Sequence, residues 1–195
     1  LHGMFNRIWV SYDDKAAKAN EEGYDGIPQN LVDAFVAIED KRFFEHQGVD
    51  WKRTFAAFAN MFLHFYSSNQ GGSTITQQLV KNLTGDTSQR PSRKIREIMR
   101  ARYLETHYVK ETIIECYLNT IAMGHGTYGV EVAANYYFGK SVKDLTLSEC
   151  ACLAAITKSP KYYAPDDYPE ANQKRRVTVL NEMYDQGYIT KEEYE

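Results

Sequence analysis

The sequence has no apolar run approaching the roughly 20 residues that a helix needs to cross a bilayer, so no stretch of these 195 residues reads as a membrane span. It has only three cysteines, Cys116, Cys150 and Cys152. An odd number without regular spacing excludes a disulfide framework, and the three read as buried or half-buried free thiols. It has no surplus of positive charge. Lys plus Arg number 23 against 26 Asp plus Glu, a net charge of −3, which argues against a nucleic-acid partner. It lacks HExxH, a CxxC pair and an Asp/His cluster, so no tight metal site is expected. It lacks the Gly-x4-Gly-Lys-Ser/Thr phosphate loop and the Gly-x-Ser-x-Gly elbow, which disfavours nucleotide hydrolysis and acyl transfer by a serine nucleophile.

What remains is an ordinary globular balance, 43% hydrophobic and 25% charged, enough for one domain with a real core. Aromatics are plentiful at 13%. Apolar spacing and capping signals read as helix almost throughout, so the fold class is mainly α. Pro28 opens a helix expected to reach about Phe44, and a second spans Trp51 to Tyr66. Ser73 caps a third, running to about Asn82. Ser92–His107, Glu111–Ile121 and Val130–Phe138 follow, the last stopped by Gly139. Thr146-Leu147-Ser148-Glu149 is a capping box opening an apolar helix to Thr157, and Glu170–Gln186 forms the last long helix. The first dozen residues read as extended. A second capping box, Thr190 to Glu193, stands two residues before the end, and the chain opens at Leu1 rather than a methionine. It is therefore read as a piece of a longer protein.

Three stretches carry candidate chemistry. Glu39 follows Ala34-Phe35-Val36-Ala37-Ile38 near a helix C-terminus. Apolar neighbours and the negative helix end both press against its charged form, which suits general acid/base work; the plain alternative is an ion pair with Arg42. Gly71-Gly72-Ser73-Thr74 at a helix start resembles an anion cradle, with Gln78 and Lys81 on one face; the alternative is a well-capped surface helix. In Arg90-Pro91-Ser92-Arg93-Lys94-Ile95-Arg96-Glu97, cations surround Glu97, either as a helix salt bridge with Arg93 or as a cleft holding a diphosphate. Thr54 to Tyr66 is apolar on nearly every face, which fits a core helix or one dipping into a membrane surface.

These stretches occur in order with others: Glu39-Asp40-x-x-Phe43-x-x-His46-x-Gly48-x-Asp50, Gly72-Ser73-Thr74-Ile75-Thr76-Gln77-Gln78-x-x-Lys81-Asn82, Arg93-Lys94-x-x-Glu97, Glu115-x-Tyr117-Leu118-Asn119, Tyr137-Phe138-Gly139-Lys140 and Pro160-x-x-Tyr163-x-Pro165. The combination closely resembles the peptidoglycan glycosyltransferase domain, glycosyltransferase family 51, of class A penicillin-binding proteins and monofunctional transglycosylases. The resemblance covers about Pro28 to Gly187, and the whole chain, 1–195, is assigned to such a domain.

The resemblance implies a lysozyme-like, two-lobed fold with a small membrane-facing jaw at about residues 50–72. It implies polymerisation of lipid II, in which the growing lipid-linked strand is the donor. The 4-hydroxyl of the incoming lipid II sugar attacks the anomeric carbon, and an α-diphosphate is inverted to a β-1,4 link. By position, Glu39 matches the general base and Glu97 the second cleft glutamate. Phe43, His46, Ser73, Thr74, Gln78, Lys81, Asn82, Arg90, Arg93, Arg96 and Asn119 match substrate- or diphosphate-binding positions. No tightly bound cofactor is implied, although a divalent cation, Mg or Mn, assists in the family. Implied partners are lipid II and the glycan strand, the membrane surface and a C-terminal transpeptidase domain, with no nucleic acid. The implied location is the outer face of the bacterial cytoplasmic membrane, anchored by a helix before Leu1. The chain departs from the family at Ala56-Ala57, where an Arg is frequent and Arg53 is the nearest cation. It departs again at Gln89, eight residues before Glu97. There, either Arg90 takes the role with a local shift or one phosphate contact is missing.

Overall fold

A computed structural model describes residues 7–55, 72–86, 88 and 91–195. The elements are α1 (Asp14–Ala19), α2 (Gln29–Glu39), α3 (51–55), α4 (Ile75–Thr84), α5 (Pro91–His107), α6 (Lys110–Thr120), α7 (Val130–Phe138), a 3-10 turn (Val142–Asp144), α8 (Leu147–Ile156), α9 (Pro160–Tyr163), α10 (Pro169–Asp185) and α11 (Lys191–Tyr194). Among the described residues the only β pairing is an isolated bridge between Ala122 and Tyr128. The mainly α expectation therefore holds. The helix expected from Trp51 to Tyr66 is described only as α3, and the rest of it, with most of the jaw, lies outside the described residues.

The core follows from α2. Every residue from Leu31 to Ile38 is buried, as expected for a helix with apolar side chains on nearly all faces. It packs against α8 and α10, which also pack on each other. A second group forms where α4 meets α5 and α6. The Phe35 ring meets the buried Tyr117 ring edge-on, with centroids 6.1 Å apart, and joins the two groups. Residues 7–13 form no helix and lie along α6. There Asn119 accepts from the Val10 N–H at 2.8 Å and donates to the Val10 carbonyl at 2.8 Å.

Two of the boundaries that differ from the sequence reading shape the cleft. The first is the end of α2, which stops at Glu39 rather than Phe44. Asp40 swings to φ −156° and turns its carboxylate back toward the start of α4, where it accepts the Ile75 N–H at 2.9 Å. The second is the cap of α4, which is Thr74 rather than Ser73. The Thr74 hydroxyl accepts from the Gln77 N–H, and the Gln77 side chain accepts from the Thr74 N–H at 2.9 Å. The same reciprocal box forms at Thr146 with Glu149 and at Thr190 with Glu193, as the spacing predicts.

Gly48 fixes the approach of α5 to the loop after α2. Its φ is +84°, and a Cβ there would fall 2.6 Å from the Ala101 carbonyl oxygen. Only glycine fits both constraints. The Gly48 carbonyl in turn accepts the Thr74 hydroxyl proton at 2.7 Å, which ties the loop to the start of α4.

Candidate active site

The two helical groups leave a cleft of about 290 Å³ between them. Glu39 enters it from the end of α2, Gln78 and Lys81 from α4, Glu97 from α5 and Thr157 from the cap of α8. Arg53, Lys158 and Arg175 complete the charged lining.

Each oxygen of Glu39 has its own partner. Gln78 donates from Nε2 to Oε2 at 2.8 Å, and the Thr157 hydroxyl lies 2.7 Å from Oε1. The Gln78 amide is itself oriented from behind. The Tyr117 hydroxyl donates to Gln78 Oε1 at 3.0 Å, which leaves the NH2 end facing the carboxylate. Tyr117 is fully buried, and this burial, reinforced by the nearby Glu39 and Asp40 carboxylates, pushes its phenol well above the usual range. It therefore stays a neutral donor. Arg53 donates to the Glu39 backbone carbonyl at 2.6 Å and holds the end of α2.

Glu97 is buried, and both its oxygens are taken. Arg93 donates to Oε2 at 2.7 Å and Lys94 to Oε1 at 2.5 Å. Lys94 also reaches Ser73 Oγ at 3.0 Å. The salt bridge with Arg93 forms, and Glu97 also lines the cleft. A divalent cation at Glu97 would have to displace Arg93 and Lys94, which hold both carboxylate oxygens. Arg96 is committed to Asp86 at 2.7 Å, and its guanidinium brings the Asp86 carboxyl down to about 2. The cations that line the cleft without a carboxylate partner among the described residues are different ones: Arg53, Lys81, Lys158 and Arg175.

Of the residues singled out in the sequence, the fold brings Glu39, Ser73, Gln78, Lys81 and Glu97 to one cleft, with Arg93 behind Glu97. Phe43, His46 and Thr74 are not in its lining. Phe43 is fully buried under the Lys110 ammonium, which sits 4.3 Å from the ring centroid. His46 Nε2 pairs with Asp40 at 2.9 Å, and Thr74 caps α4. These three support the end of α2 rather than face the cleft. Asn82 is exposed on α4 and outside the lining. Asn119 spends its amide on Val10 and on the Glu115 carbonyl, so it is a clamp on the N-terminal segment. Arg90 lies outside the described residues. The anion cradle at the start of α4 is already filled, because the Asp40 carboxylate occupies the place a phosphate would take.

Spacing did not reveal Thr157, Lys158 or Arg175, and Arg53 entered only as the cation nearest a position where the family often has an Arg. Thr157 stands 118 residues from Glu39, so only the packing of α8 on α2 brings them together. The expected absence of an Asp/His cluster is also corrected. His125 lies 3.2 Å from Asp166 and 3.3 Å from Asp167, on the surface and away from the cleft. The three cysteines are free, with Cys150 and Cys152 buried and Cys116 half-buried.

Comparison with known proteins gives the family. The family model described as transglycosylase matches residues 7–184. Penicillin-binding protein 1F of Bacillus subtilis is 47% identical over 167 residues, covering 86% of this chain and 23% of that protein. Penicillin-binding protein 1A of Aquifex aeolicus is 45% identical over 195 residues, covering 99% of this chain and 25% of that protein. The chain thus spans about a quarter of the length of these curated relatives. The crystal structure of penicillin-binding protein 1A from Haemophilus influenzae superposes with a TM-score of 0.53 at 29% identity, over 96% of this chain and 16% of that one, in keeping with a lysozyme-like fold. No helix among the described residues is long and apolar enough to cross a membrane. The chain belongs to the transglycosylase family, as a peptidoglycan glycosyltransferase domain of the kind carried by class A penicillin-binding proteins.

Proposed function

We propose that this domain polymerises lipid II into glycan strands, with Glu39 as the general base. The observation that carries the reading is the pairing of an oriented carboxylate with cations that lack a counter-ion. Glu39 is held between Gln78 and Thr157, and Arg53, Lys81, Lys158 and Arg175 line the same cleft with no carboxylate partner among the described residues. Gathering like charges is costly unless an anion joins them. The substrate anion that fits is the diphosphate linking sugar to lipid.

The chemistry follows from those placements. Glu39 takes the proton of the acceptor 4-hydroxyl, and that oxygen attacks the anomeric carbon of the donor strand from the face opposite the diphosphate. The C–O bond to the diphosphate breaks, and the configuration inverts. Negative charge grows on the leaving group, and Lys81 with the other unpaired cations stabilises it. Glu97, already paired with Arg93 and Lys94, holds those two side chains at the cleft edge. Membrane association, a location on the outer face of the cytoplasmic membrane, an anchor before Leu1 and a following transpeptidase domain fit the longer relatives and belong to the same proposal.

The test is to incubate the purified chain with lipid II carrying a labelled sugar. The reading expects polymeric glycan and release of polyprenyl diphosphate. Cleavage of preformed glycan without polymer formation would assign the cleft to a hydrolase instead.

A further inference from the structure

Thr157 is placed where one proton has two destinations. Its Oγ1 lies 2.7 Å from Glu39 Oε1 and 2.7 Å from the Ala154 carbonyl oxygen. A hydroxyl has a single proton to donate and lone pairs with which to accept. The Ala154 oxygen only accepts, and an ionised carboxylate only accepts. With Glu39 ionised, Thr157 can serve one of them at a time, and the charged one gives the stronger bond. With Glu39 protonated at Oε1, every contact is satisfied at once: the carboxyl proton goes to Thr157 Oγ1, and the Thr157 proton goes to Ala154. Gln78 offers no such choice. Its amide is fixed by Tyr117, so Nε2 faces Oε2 as a donor in both states.

We infer that Thr157 is a positioning residue for proton transfer, a rotating hydroxyl that donates to Glu39 before the acceptor is deprotonated and accepts from it afterwards, and so steers the proton to Oε1. The inference rests on Glu39 being the base. The balance is simple: one proton leaves the acceptor hydroxyl and settles on Glu39 Oε1 as the glycosidic bond forms, and the Thr157 proton only turns from Glu39 to Ala154. Oε2, held by the fixed Gln78 donor, keeps its place while Oε1 changes role. A plain back-bonded helix cap would account for the Ala154 contact alone. It would not account for a carboxylate oxygen at the same distance.

The charged groups around Glu39 are Arg53, Lys81, Lys158 and Arg175 on one side and Glu97 across the cleft. Asp40 and Tyr117 lie behind. All are unchanged by a substitution at 157, so a shift in the activity profile reads on the hydroxyl. The experiment measures kcat/KM for lipid II polymerisation against pH in the wild type, Thr157→Val, Thr157→Ala and Thr157→Ser, with Glu39→Gln alongside. Donation to the charged form outweighs acceptance from the neutral one by about the difference between a charge-assisted and a neutral hydrogen bond. Both Thr157→Val and Thr157→Ala are therefore expected to move the acid limb up by roughly one pH unit. Thr157→Ser, which keeps the hydroxyl, is expected to return the acid limb to its wild-type position. An unmoved acid limb in Thr157→Val and Thr157→Ala, or a serine variant that behaves like valine, overturns the inference while the base assignment stands on an inactive Glu39→Gln. A fully active Glu39→Gln overturns both.

Discussion

Replacing Asp40 with asparagine tests how the base is held in place. Asp40 is fully buried, and one of its oxygens, Oδ2, accepts from both the His46 ring at 2.9 Å and the Ile75 N–H at 2.9 Å. The second oxygen has no partner. In Asp40→Asn the amide oxygen can take the place of Oδ2 and keep both contacts, but they lose their charge. Each hydrogen bond weakens by about 1 kcal/mol, the usual gap between charge-assisted and neutral bonds. Removing the negative charge from the start of α4 adds about 0.5 kcal/mol. The sum is about 2–3 kcal/mol. For a chain of this size each kcal/mol moves the midpoint by roughly 2–4 °C, so Tm should fall by about 5–10 °C. Calorimetry or circular dichroism reads it directly. Because the same carboxylate joins the end of α2 to the start of α4, the Glu39–Gln78 contact should also loosen, and polymerisation should drop even well below the melting range. A variant with an unchanged Tm and full activity would refute the idea that Asp40 is the anion filling the start of α4.

Asp33 predicts a pH dependence of stability. Burial lifts its carboxyl to about 6 from its ordinary value near 3.8. The folded chain then keeps a proton that the unfolded chain releases between about pH 4 and 6. Stability falls as pH rises through that window, by about 3 kcal/mol at most. Asp33→Asn should match the wild type at pH 3.5 and exceed it at pH 7.5, since an asparagine oxygen still accepts from Gln29; urea melts at the two pH values check this. Gly48→Ala combines a positive φ with a Cβ 2.6 Å from the Ala101 carbonyl, and should cost roughly 2–5 kcal/mol, read as a fall in Tm of about 5–15 °C.

The local signals proved the readable ones. Capping boxes at Thr146 and Thr190, the Gly139 stop and the apolar run Ala34 to Ile38 of α2 follow from short-range chemistry, and the fold keeps them. Glu39, Gln78, Lys81 and Glu97 do share one cleft, as the motif order implied. What spacing could not reveal depends on distant packing. The stretch after Glu39 has no breaker until Gly48, yet the helix ends early because Asp40 finds a better use at Ile75, 35 residues away. That same contact fills the apparent anion cradle with a protein carboxylate. The cation-rich stretch before Glu97 suggested diphosphate ligands, but Arg93 and Lys94 pair with Glu97, and Arg96 with Asp86. The unpaired cations come from α3, from α4 and from segments far along the chain, Lys158 and Arg175, whose local sequence carries no sign of a site.

The most direct test of the account is Glu39→Gln. Glutamine keeps the shape of the side chain and an acceptor for Gln78, so the variant should fold, melt within a few degrees of the wild type and still bind the lipid-linked substrate. It has no carboxylate to take a proton, and loss of a general base costs about 10²–10⁴ in rate. The account predicts that lipid II stays unpolymerised under conditions where the wild type forms glycan strands. Polymerisation by Glu39→Gln at the wild-type rate would contradict it.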